Sequence, residues 1–340
     1  MNITQLILNV AGLFVLMIPG ILLKKCKMVG DGFGKGISNL VLYMAQPALI
    51  ICAYLDCSLR FEEIWKNVLW VFLFSILAHL IFAVAAFLFF EKVPRGRQKM
   101  LRFATIFSNA AFMGIPLIQS ICGSVAAIYA SVYNITFNLF LWTLGVYLCT
   151  REGKVDHDGD GDTDHVDELI GLHKTAKREV SLLKVLIHPV TLASILGMLC
   201  LILGWSRHTL SIGFLWDCLN MLKGLVAPLS MVVIGLRMAD IVWKGTLKDA
   251  PMYLFLALRH LLLPLVILMI LKVVGLFGIA IPQVVEDVTM IMVATPAASS
   301  ATMFAEKYDC DAAYTSRLVV ISTVLCIVTM PLVIELAHAI

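Results

Sequence analysis

Residues 108–117 read Ser-Asn-Ala-Ala-Phe-Met-Gly-Ile-Pro-Leu, and residues 294–302 read Ala-Thr-Pro-Ala-Ala-Ser-Ser-Ala-Thr. Each sets a proline among amide, hydroxyl and small residues inside an otherwise apolar run. Proline has no N–H and its ring clashes with the carbonyl one turn earlier, so a helix interrupted there leaves backbone groups unpaired. In hydrocarbon such groups are tolerated only where protein or water covers them, so paired interruptions mark a cavity. A half-helix starting at a break turns free N–H groups and the positive end of its dipole toward that cavity, which suits an anion. The chemistry is thus recognition of a small anion, with Asn109, Gly114 and Pro116 in the first segment and Thr295, Pro296, Ser299 and Ser300 in the second as candidate substrate-binding residues.

Other readings of these residues stand beside that one. Small residues in the second segment also suit close helix packing, and the Asn109 amide also suits a helix-to-helix contact. Gln46, next to Pro47, either reaches the cavity from an adjoining helix or satisfies the carbonyl that Pro47 frees. Asn134 and Asn138, four apart and so on one helix face, line the cavity or a helix interface. His79, Asp217, Lys223, Arg259, His260 and Arg317 are ionisable residues in or near apolar runs. Such positions are functional suspects in a membrane, although anchoring at a helix end or an internal ion pair is the favoured reading here. No Asp or Glu stands at the middle of an apolar run to serve proton or sodium coupling. No HExxH or GxSxG pattern is present, which argues against an enzyme, and no motif calls for a cofactor. The nine cysteines, with no CxxC spacing, read as small buried hydrophobes.

The elements that must position these residues are membrane helices. Of 340 residues 60% are hydrophobic and 14% charged, against about 45–50% apolar and about 25% charged in a soluble domain; mean hydropathy is +0.93. Apolar runs long enough to cross roughly 30 Å of hydrocarbon fall at 3–23, 37–55, 67–90, 102–121, 127–149, 183–204, 212–236, 251–274, 287–304 and 312–338. The fold class expected is an all-α integral membrane protein of ten transmembrane helices. The first run has no small-residue cleavage site and is read as a retained helix. Loops on one side carry 19 Lys and Arg and those on the other 4, so the positive-inside rule places the rich side in the cytoplasm and both termini outside. The net charge of +3 is explained by this topology and gives no pointer to nucleic acid.

A polar seam at 151–182 divides the runs into five and five. An odd number of crossings per half inverts the second half relative to the first, the arrangement of inverted-repeat transporters. Pro47 and Pro228 are 181 residues apart, and Pro116 and Pro296 are 180 apart, so equivalent runs carry equivalent prolines. The expected domains are 1–150, the acidic linker 151–182 and 183–340. The linker holds Asp156, Asp158, Asp160 and Asp167 at spacings like those of an EF-hand loop, but position twelve is Asp and position eight is Thr163. A solvated acidic linker is favoured over a weak divalent-cation site.

The Asn-Ala-Ala-Phe-Met-Gly-Ile-Pro-Leu run at 109–117 resembles the N-x-x-F-x-G-I-P-L signature of the auxin efflux carrier family, and segments 40–49, 227–235 and 295–308 resemble that family's second, seventh and ninth helices. The resemblance implies two inverted five-helix repeats, a fourth and a ninth helix that are broken and cross, and an elevator mechanism in a homodimer. It puts helices 1, 2, 6 and 7 in a scaffold and 3–5 and 8–10 in a transport domain, with Asn109 and the breaks near Pro116 and Pro296 on the substrate carboxylate. Plant carriers of the family have further asparagines where this chain has Ala110, Ala111 and Phe112 and then Thr295, Ser299 and Ser300. The resemblance therefore points to small carboxylates, as in bacterial members, rather than auxin, and to the cell membrane. A sodium-coupled symporter of the bile-acid type and a transporter-like ligand sensor are the alternative readings.

Overall fold

The computed structural model describes residues 11–12, 14–30, 32–150, 187–207, 209, 213–239, 249–308 and 310–340. The acidic loop of Asp156, Asp158, Asp160 and Asp167 lies outside the described residues. Among the described residues the regular elements are all helices, joined by one isolated β-bridge between Ser108 and Ala297. In chain order they are α1 (Met17–Lys25), α2 (Phe33–Leu55), α3 (Phe61–Phe89), α4 (Arg95–Ile106), α5 (Ala110–Thr150), α6 (Pro189–Ile202), α7 (Gly213–Ala239), α8 (Ala250–Leu276), α9 (Gln283–Ala294), α10 (Ser300–Lys307) and α11 (Ala312–Ala339).

Six of these helices, α2, α3, α5, α7, α8 and α11, are long and apolar enough to cross a membrane. The difference from ten runs has local causes. The run at 3–23 begins outside the described residues, and α6 has 14 residues. The fourth and ninth runs are each divided by a non-helical segment, at 107–109 and 295–299. At Gly123 the backbone takes φ 84°, ψ −175°, a conformation that only glycine adopts without strain. That residue kinks α5 into a first arm up to position 122 and a second arm from 124, where the sequence separates runs 102–121 and 127–149.

Large apolar side chains are exposed on the outer faces of the bundle: Leu73, Leu80 and Val84 on α3, Leu196 and Leu199 on α6, Met269 on α8 and Val328 and Leu332 on α11. Contiguous apolar surface of this kind belongs against lipid rather than water. Inside the bundle, α9 packs against α3, α5 and α11 and is the most enclosed element, with Val288, Thr289, Ile291 and Val293 fully buried. The helix ends are satisfied locally. Glu63 Oε2 accepts from the Arg60 N–H at 2.8 Å at the start of α3, and Asp311 Oδ1 accepts from the Tyr314 N–H at 2.8 Å at the start of α11.

Apolar burial drives little helix association within a bilayer, so close backbone packing has to supply it. The α1–α7 contact is of that kind. A Cβ at Gly20 would collide with the Val232 carbonyl, and one at Gly235 with the Met17 carbonyl. Gly235→Ala is expected to cost about 1–3 kcal/mol, the usual range for overpacking. Thermal unfolding in detergent measures it, with Gly213→Ala, where a Cβ meets nothing within 4 Å, leaving the midpoint nearly unchanged.

Candidate functional site

The site is built where α4 and α9 stop. Helix α4 ends because Phe107 is extended (φ −95°, ψ 119°), and the chain re-enters helix after Asn109 (φ −78°, ψ 47°). Helix α9 ends because Thr295 precedes Pro296. Proline's ring disfavours the helical region for its predecessor, and Thr295 is extended (φ −61°, ψ 153°). The two open segments then satisfy each other. The Asn109 N–H donates to the Pro296 carbonyl at 2.8 Å, and the Ala298 N–H to the Phe107 carbonyl at 2.9 Å. Backbone that lipid cannot solvate is thus paired across the bundle.

Pro116 does not interrupt the chain in the way its type suggests. The first segment opens at Phe107–Asn109, several residues before Gly114. The stretch Ala110–Gly114 is a wide π-type turn that runs on into the α-helix, and α5 carries Pro116 in its second turn without ending there.

Two side chains from behind hold the paired segments. The Arg259 guanidinium, fully buried, donates through Nη1 to the Thr105 carbonyl at 3.3 Å and through Nη2 to the Thr295 carbonyl at 2.8 Å, and lies 5.0 Å over the Phe82 ring. Both carbonyls belong to helix C-terminal ends, where the dipole is negative and a cation is favoured. Among the described residues no carboxylate is paired with it. Beside it, the Ala297 N–H donates to Ser322 Oγ at 2.8 Å, and Ser322 Oγ is 2.8 Å from His260 Nε2. His260 Nδ1 is 3.1 Å from Thr329 Oγ1, so both ring nitrogens are partnered by hydroxyls of α11.

In front of the paired segments opens a cavity of about 910 Å³. Ser108, Asn109, Ala298 and Ser300 line it at the breaks, and Asn134, Phe137, Asn138 and Trp142 of α5 and Leu42 and Tyr43 of α2 line its walls. Lys24, Lys35, Arg237, Lys307 and Arg317 also line it, and among the described residues its one carboxylate is that of Glu306. This excess of cations concentrates anions. Several buried polar atoms have no partner among the described residues: the donors Asn109 Nδ2, Asn138 Nδ2, Ser300 Oγ and Thr302 Oγ1, and the acceptor Asn134 Oδ1. Folded proteins rarely leave such groups unpaired, and donors in a cation-rich cavity suit an anionic ligand.

Of the residues singled out by sequence, Asn109 and Ser300 line the cavity, as do Asn134, Asn138 and Arg317. Ser299 is buried one residue away, its Oγ unpaired and its carbonyl accepting from Arg237. Gln46 donates from Nε2 to the Ala111 carbonyl, so it braces the turn after Asn109 from α2. Thr295 and Pro296 form the second break, Gly114 and Pro116 lie in the helix after the first, and none of the four lines the cavity. A Cβ at Gly114 would come within 2.6 Å of Met292 Sδ, and Thr295 Oγ1 donates to the Met292 carbonyl at 2.8 Å. His79 donates from Nδ1 to the Ser75 carbonyl at 2.7 Å and stacks on Phe140, while Asp217 is exposed. Among the described residues no group of three His, Cys, Asp or Glu is placed to hold a metal. The sequence gives Arg237 only as one of the Lys and Arg counted in the charge-rich loops. It places Arg259 among the suspects, but its partners lie on two distant helices that spacing does not reveal.

A multi-pass helical bundle with paired helix breaks over a cation-rich cavity defines a membrane transport protein. A sequence profile described as membrane transport protein matches residues 5–334, and the chain belongs to that family, the auxin efflux carrier family. It is also similar to an uncharacterized transporter of Methanothermobacter thermautotrophicus, 24% identical over 334 residues that cover 98% of this chain and 97% of the relative.

Replacing Arg259 by leucine leaves the Thr105 and Thr295 carbonyls without their donor, and each buried unpaired group costs about 1–3 kcal/mol. A clear fall in the thermal midpoint in detergent is the expected result, with Arg259→Lys retaining part of the stability.

Proposed function

We propose that the protein is a secondary transporter of small organic anions, carboxylates above all, that binds its substrate where the two broken helices meet. The observation that carries this reading is the unpaired donors of Asn109 and Ser300 in a cavity that, among the described residues, has five cationic residues and one carboxylate. The first turn of α10 begins at Ser300, so its positive dipole end adds to the same site.

In this reading α4 with the first arm of α5 is the fourth of ten transmembrane helices, and α9 with α10 is the ninth. They cross at their breaks, and residues 1–150 and 183–340 form two inverted five-helix repeats joined by the linker 151–182. Helices 1, 2, 6 and 7 form the scaffold. Gln46 of α2 and Arg237 of α7 then reach from the scaffold to carbonyls of the transport domain, at Ala111 and Ser299. Alternating access by an elevator movement requires both contacts to break. The cavity opens among residues of the loops richest in Lys and Arg, which the positive-inside rule assigns to the cytoplasm. The conformation is therefore inward-open, in a homodimer in the cell membrane with both termini outside.

Charge displacement on a solid-supported membrane tests this. Proteoliposomes are challenged with malonate, other small carboxylates and indole-3-acetate, with and without sodium. The expected outcome is a current for small carboxylates that falls at least about tenfold in Asn109→Ala, the effect of losing roughly 1.4 kcal/mol of ligand contact. A current of wild-type size in Asn109→Ala contradicts the site. A strict sodium requirement favours the bile-acid type of symporter.

A further inference from the structure

The second arm of α5 carries Asn134, Asn138 and Trp142 at four-residue intervals, on one helix face, and all three line the cavity. From Asn134 to Trp142 the helix rises about 12 Å, so this face extends well beyond the reach of one small carboxylate. Its far end has a composition of its own. Asn138 is only 3% exposed, yet its Nδ2 has no partner. Trp142 Nε1 and Thr302 Oγ1, the latter on α10, are buried and unpaired as well. The Lys307 ammonium lies 5.6 Å over the Trp142 ring, and the Phe304 ring packs 5.5 Å from it. Asn138, Trp142, Thr302 and Lys307 thus line one cavity, and among the described residues none of the three neutral donors has an acceptor. The contacts described for the breaks account for none of these atoms.

We propose a second anion subsite in this part of the cavity, formed by Asn138 Nδ2, Trp142 Nε1, Thr302 Oγ1 and the Lys307 ammonium, which takes the carboxylate group of a small acid on its way to or from the breaks. Lys307 supplies attraction at a distance, and the three neutral donors supply direction at contact. The aromatic rings of Trp142 and Phe304 exclude water on one side, which strengthens each hydrogen bond to the bound anion. The inference rests on reading the cavity as an anion path, and it fails or stands separately from the site at Asn109.

Fluorescence of the full-length protein in nanodiscs tests it, with iodide as the anionic quencher, caesium as the cationic one and acetate as the competing carboxylate. The difference between wild type and Trp142→Phe isolates the Trp142 signal. Iodide is expected to quench Trp142 roughly threefold more efficiently than caesium, as a local positive potential requires. Acetate is expected to protect Trp142 saturably, with protection lost in Asn138→Ala and Lys307→Gln and retained in Lys307→Arg. Equal quenching by the two ions, or acetate protection absent or unchanged in Asn138→Ala and Lys307→Gln, overturns the subsite. In flux assays Asn138→Ala is expected to raise KM several-fold while keeping the maximal rate. Normal flux in Asn109→Ala with Trp142 still protected would sink the site at the breaks and leave this one standing. An inactive Asn109→Ala with Trp142 unprotected would sink this one alone.

Discussion

The Arg259 guanidinium occupies the point where two helices, α4 and α9, run out of internal hydrogen bonds. A bilayer interior offers no water to the carbonyls at such ends, so an interrupted helix persists there only if the protein supplies the missing partners. Arg259 supplies them at Thr105 and Thr295, and the two helix dipoles in turn offset the cost of burying its charge. The β-bridge between Ser108 and Ala297 and the Ser322 hydroxyl complete the pairing. With the rear of the breaks closed in this way, Asn109 and Ser300 face the other direction, into the cavity.

This division of labour explains why the polar residues near the breaks differ in what they do. Arg259, His260, Ser322 and Thr295 spend their hydrogen bonds on the protein itself. Asn109 Nδ2 and Ser300 Oγ have none to spend on it. Braced carbonyls behind the breaks and unpaired groups in front of them are the arrangement a binding site needs, because ligand contacts then cost little reorganisation. Gln46 and Arg237 stand between these groups. Each reaches one backbone carbonyl beside a break, Gln46 from α2 and Arg237 from α7.

Much of the architecture was legible because hydropathy and charge asymmetry act over whole helices. The runs at 67–90, 251–274 and 312–338 correspond to α3, α8 and α11, and Gly123 falls between two runs that composition already separated. Thr295–Pro296 was legible as a break because proline acts on its own neighbour. Pro116 was misleading because the wide turn before it lets the helix continue through it, and the opening lies at Phe107–Asn109 instead. The cavity wall of Asn134, Asn138 and Trp142 and the partners of Arg259 come from helices far apart in sequence. Their meeting is a property of packing, which a linear pattern does not encode.

The central claim, that a small carboxylate binds in front of the paired breaks, is tested most directly by locating one. Crystals of the full chain soaked with a bromine-substituted short-chain carboxylate give an anomalous signal that marks the ligand without reference to the protein. The account predicts a bromine peak inside the cavity, with the attached carboxylate in hydrogen-bond reach of Asn109 and Ser300. A fully occupied peak outside the cavity, with the space before Asn109 and Ser300 holding only water, would contradict it.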